Sequence, residues 1–89
     1  MPLIEISSGQ TIFSNVASMV GSQAATEILI QANPSNTESV LIGNATNQYI
    51  RLSAGVTITL PISNLNQIYG KVSTNVSATV NWITNTLRF

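Results

Sequence analysis

Lys71 and Ser73 stand two residues apart in QIYGKVS, on the same side of any strand that runs through them. A lysine beside a serine can draw off the hydroxyl proton and turn the serine into a nucleophile. That chemistry needs a lysine stripped of water so that it gives up its own proton, and nothing in the sequence suggests that Lys71 is desolvated. A solvated lysine guarding a strand is the simpler reading. Glu27 and Glu38 flank the turn Asn33-Pro34-Ser35-Asn36 and could face each other across it, as an acid–base pair would. Polar faces of neighbouring strands place carboxylates this way without any catalysis. Glu5 is the only other carboxylate side chain, and the chain has no histidine, cysteine or aspartate. Three scattered glutamates make a poor metal site. The five glycines sit singly, so no loop is built to cradle phosphate. The sequons Asn44-Ala45-Thr46 and Asn75-Val76-Ser77 are what an Asn- and Thr-rich chain gives by chance. No catalytic, cofactor-binding or metal-binding residue is assigned.

What remains is a chain of 89 residues, the size of one small domain. Ser, Thr, Asn and Gln supply 36 of those residues, whereas Lys and Arg together supply only 3 and Glu another 3. The formal net charge of zero argues against nucleic acid, whose recognition needs clustered cations. It also removes the repulsion that keeps small domains apart in solution. Disorder is not expected, because 25 Val, Ile and Leu residues can fill a core. No apolar run approaches the length of a membrane-spanning helix, so no membrane partner is expected. The start, MPLIEISS, lacks a basic segment followed by a long apolar one, and no secretory signal is read there.

Period-two alternation dominates the pattern. In Leu52–Gly70, Val56, Ile58, Leu60 and Ile62 fall on one face, with Thr57, Thr59, Pro61 and Ser63 on the other. Pro61 cannot donate to a ladder and marks an edge, and Gly55 can take the positive φ that launches the strand. TEILIQA turns Ile28, Ile30 and Ala32 inward, and SVLIG reads as a central strand. NQYIRL, QIYGKVS, VSATVNWIT and an N-terminal strand with Ile4 and Ile6 complete the set. Turn clusters fall every 8–12 residues, the spacing of a sandwich or barrel. The expected fold is therefore all-β, a small antiparallel β-sandwich of about seven strands, jelly-roll or immunoglobulin-like in order. Residues 1–89 form a single domain, with 1–25 an N-terminal arm or irregular segment packed on it. Within that segment Ile12, Val16, Met19 and Val20 have helical spacing, but their Ser-, Asn- and Gly-rich surroundings favour an extended connection.

Trp82 shares an apolar register with Val80 and reads as core. Tyr49 and Tyr69 lie opposite Ile50 and Ile68, which makes them candidates for interfacial rings. Phe89 ends the chain and is expected to tuck against its own sheet or a neighbour's.

The stretch Ile28 to Ile83, about two thirds of the chain, carries a succession of parts: an IxI strand before the Asn33 turn, VLIG, LSAGVTITLPI, QIYGKVS and ATVNWI. In that order of parts it resembles the small β-sandwich virion proteins of tailed bacteriophages, particularly capsid cement or decoration proteins. The resemblance implies a non-enzymatic structural protein without cofactors, located on the capsid surface of the virion and synthesised in the host cytoplasm. It implies the major capsid protein as partner and a homo-oligomer, dimer or trimer, seated over joints between capsid subunits. Related sandwiches in tails, head fibres and receptor-binding tips supply the alternative, recognition of a host surface glycan. Within the structural reading the N-terminal arm is expected to hold partners together. The candidate interface is then Leu3, Ile4, Ile6, Ile12, Phe13, Tyr49, Tyr69 and Phe89.

Overall fold

The computed structural model describes the backbone from Leu3 to Arg88 and the side chains from Ile4 to Thr86. It contains eight strands: β1 (Leu3–Phe13), β2 (Ser18–Met19), β3 (Glu27–Ala32), β4 (Val40–Gly43), β5 (Ile50–Leu52), β6 (Thr57–Pro61), β7 (Tyr69–Lys71) and β8 (Ala78–Arg88). A single 3-10 turn, Leu65–Gln67, precedes β7 and is capped by Asn64, whose side chain accepts from the Asn66 backbone. No α-helix occurs among the described residues. The helical spacing over 11–25 therefore carries no helix. Ile12, Val16 and Met19 are exposed while Val20 is buried, so the four share no buried face. The segment is instead the end of β1, the short β2 and a bridge from Ala24 to Asn64.

Sheet A has the order β1-β8-β3-β6 and sheet B the order β2-β7-β4-β5, with every pairing antiparallel. Strand one pairs with eight, two with seven, three with six and four with five. That is one long antiparallel ribbon folded over on itself, the jelly-roll connectivity, and it decides between the two sandwich topologies left open above. It also corrects two expectations. The Asn33–Asn36 turn does not close a hairpin but carries the chain from sheet A to sheet B. The supposed N-terminal arm is a full member of sheet A, paired with β8 from Leu3↔Arg88 to Phe13↔Ala78. An eleven-residue strand that finds a partner of equal length satisfies the backbone groups on its β8 side along its whole course, which an irregular arm could not do.

Between the sheets lie Phe13, Ile28, Ile30, Ile42, Leu52 and Val80, all fully buried. Each such side chain contributes roughly 1.5–3 kcal/mol over leaving it in water. Two glycines make room for rings. A Cβ on Gly70 would stand 2.5 Å from the Phe13 ring, and one on Gly9 would stand 2.7 Å from the Trp82 indole. Gly9 and Trp82 are cross-strand partners, so the indole covers the bare edge glycine. Its Nε1 donates to Thr11 Oγ1 at 3.1 Å, and that hydroxyl donates to the Val20 carbonyl at 2.6 Å, tying sheet A to the residue that follows β2. Pro61 does lie on an edge strand, and Gly55, with φ of 85°, does occupy the turn position that needs it.

Candidate functional site

Because successive side chains of a strand alternate faces, register decides what gathers on the outside of each sheet. On sheet A three rows cross the strands. Gln10, Asn81, Gln31 and Thr57 form the first, Ser8, Ile83, Leu29 and Thr59 the second, and Ile6, Asn85, Glu27 and Pro61 the third. In the first row Gln10 Nε2 donates to Asn81 Oδ1 at 2.8 Å, and Asn81 Nδ2 donates to Gln31 Oε1 at 3.2 Å. In the third, Asn85 Nδ2 donates to Glu27 Oε1 at 3.1 Å, and Asn85 Oδ1 accepts from Thr26 at 3.1 Å. These bonds hold the amides in place across the strands. Between them the middle row presents Ile83 and Leu29, 44% and 39% exposed. Shallow hollows of about 230 and 240 Å³ lie on either side of those two side chains. The result is a flat platform of two polar bands around an apolar one.

A second feature is a cleft of about 510 Å³ where β5 and β6 stand apart, walled by Ile42, Ile50, Ile58, Leu60 and Ile68. The outer face of sheet B is different again. Leu41 pairs with both Lys71 and Arg51, which puts two of the chain's three cations in one row, on either side of Leu41, and Tyr69 pairs with Met19 in the next strands.

The expected site residues separate accordingly. Ile4, Ile6 and Ile12 share the outer face of β1 and are 62%, 61% and 69% exposed. Phe13 does not belong with them. It is completely buried, because strand alternation turns it inward and Gly70 leaves space for its ring. Tyr49 is 80% exposed in the loop before β5, and Tyr69 is half-buried on the outer face of sheet B. Phe89 and the side chain of Leu3 lie outside the described residues. Lys71 is half-buried on β7 and Ser73 exposed in the following loop, with no hydrogen bond between them. Glu27 opens β3 and Glu38 lies in the loop after it, at the other end of the strand, so the two carboxylates do not converge. Among the described residues, no three His, Cys, Asp or Glu side chains come together as metal ligands. The amide rows were not foreseen. Their signal was present as outward Gln10, Gln31 and Asn81 on three strands, but only register aligns them. No protein-family model matches the chain, and no curated protein matches it significantly.

Proposed function

We propose that this protein is a structural component of a virus particle, a jelly-roll decoration or cement protein that works by docking on major capsid subunits rather than by catalysis. The observation that carries the reading is the outer face of sheet A, a platform with aligned amides, an apolar row and, among the described residues, Glu27 as its only charge. Amides and hydroxyls cost far less to strip of water than charges do, so such a face docks without needing ion-pair partners. Its binding depends little on salt. Four strands about 4.8 Å apart, with the β1–β8 ribbon beyond them, give a footprint on the order of 500 Å². That falls short of the ~800 Å² one partner contributes to a standard interface. One copy therefore holds weakly, and a homo-oligomer engaging several sites at once holds firmly.

Sedimenting purified virus particles and counting copies of this chain tests the proposal. Tens to hundreds of copies per particle are expected. A chain left wholly in the soluble fraction overturns it. Tyr49, standing clear of the loop before β5, favours a second reading, a glycan-binding tip. A handful of copies per particle and a glycan affinity lost in Tyr49→Ala would select it.

A further inference from the structure

We propose that β1 is a self-association edge: two copies pair antiparallel, β1 against β1, about a two-fold axis at Ser8, so that two sheets A become one eight-stranded sheet. This deepens the reading above by naming the contact between copies, and it holds whatever surface the copies dock on.

The backbone carries the argument. The carbonyls of Thr79 and Asn85 accept from Asn33 and Thr26, on the β3 side of β8. In an antiparallel strand the N–H and C=O of one residue point the same way, and the direction alternates along the chain. Odd-numbered residues of β8 therefore serve β3, and even-numbered ones serve β1. In the observed register those even-numbered residues face Leu3, Glu5, Ser7, Gly9, Thr11 and Phe13. Ile4, Ile6, Ser8, Gln10 and Ile12 consequently aim their backbone groups away from β8, where no strand lies among the described residues. Ser14 continues the alternation, since its carbonyl accepts from Val72 on that side. Along the described part of β1, five residues thus present an N–H and a C=O to open space.

Long, flat, apolar edges of this kind recruit another strand unless something blunts them. β1 has no proline and one charged side chain, Glu5. The occupant that fits is the same strand reversed. With the axis at Ser8, Ile4 lies opposite Ile12 of the second copy, Ile6 opposite Gln10, and Ser8 opposite itself. All five bare residues then exchange bonds, and the most exposed isoleucines of the two strands cover each other. Glu5 falls opposite Thr11 and not opposite its own copy. Every other register that brings the bare groups together runs Ile4 or Ile12 past the end of the partner strand. Zero net charge leaves no repulsion to overcome. The contact is about 37 Å long and about 10 Å thick, on the order of 370 Å² per copy, which places it among weak interfaces. It forms sparingly in dilute solution and readily where copies are held side by side.

The chain has no cysteine, so Ser8→Cys carries a single, exposed thiol. A hydrogen-bonded antiparallel pair sets its Cα atoms about 5.5 Å apart, inside the range a disulfide spans. Under mild oxidation Ser8→Cys is expected to form covalent dimers about tenfold faster than Thr57→Cys, which is exposed on the opposite edge of the sheet. Ile6→Pro removes a bare N–H and spares the β1–β8 ladder, so it should abolish the dimer in sedimentation equilibrium while thermal unfolding stays cooperative. Ser7→Pro takes its N–H from the ladder and should lower the melting temperature instead. Equal cross-linking by the two cysteine variants, a dimer that survives Ile6→Pro, or a chain monomeric at every concentration overturns the proposal. Particle binding is read separately: a chain that fails to pair but still co-sediments removes this contact and leaves the docking reading in place.

Discussion

Sheet A ends in two strands of opposite design. β6 is five residues long, and its last residue is Pro61. The Ile62 N–H donates to the Thr26 carbonyl, so even-numbered residues there face β3 and Pro61 turns its missing N–H to the open side. The proline sits where it costs the ladder nothing and denies a newcomer one donor. β1 is eleven residues long and unblunted, with exposed isoleucines at both ends. One end of it is nevertheless core, because Phe13 is fully buried under the sandwich. The difference teaches that one sheet can blunt one edge with a proline and leave the other bare, and that burial of one residue anchors even a bare edge strand.

Breaking the anchor should produce the largest effect. Phe13→Ala is expected to destabilise the fold by about 3–5 kcal/mol, read from the shift in urea midpoint. Filling the space below the ring acts on the same anchor from the other strand: Gly70→Ala should cost about 1–3 kcal/mol, because the added methyl meets the ring face at 2.5 Å. The platform between the edges is worth less. Asn81→Ala removes the side chain that joins Gln10 to Gln31, with an expected loss of about 1 kcal/mol in thermal unfolding. Pro61→Thr should change stability least, within about 0.5 kcal/mol. Light scattering on that variant sharpens the comparison: if β6 is held unpaired by its proline, association should rise with concentration beyond that of the unaltered chain.

Much of this was legible beforehand. Ile58, Leu60 and Ile62, TEILIQA and SVLIG alternate or run apolar so regularly that faces, edge and centre follow from counting by two, although Val56, counted onto the same face, stands 44% exposed just ahead of β6. Pro61 and Gly55 announced their positions through what their backbones forbid and permit. Ile4 and Ile6 announced an N-terminal strand, but its length and its partner were not legible, because β8 lies far along the chain, with Leu3 meeting Arg88 and Phe13 meeting Ala78. Nor was β2, since two residues supply no period. Phe13 was misplaced because, as part of an arm, it had no face to turn inward.

The amino-acid sequence by itself determined an all-β chain with a filled core, a neutral and amide-rich composition, and no histidine, cysteine or aspartate. Those properties reside in composition and in period-two alternation, which are local. Only the tertiary structure decided the jelly-roll order, the burial of Phe13, the alignment of Gln10, Asn81 and Gln31, and the bare edge of β1. Each depends on which strand pairs with which and in what register, and pairing between residues seventy positions apart is settled by the core that they close together, not by either segment alone.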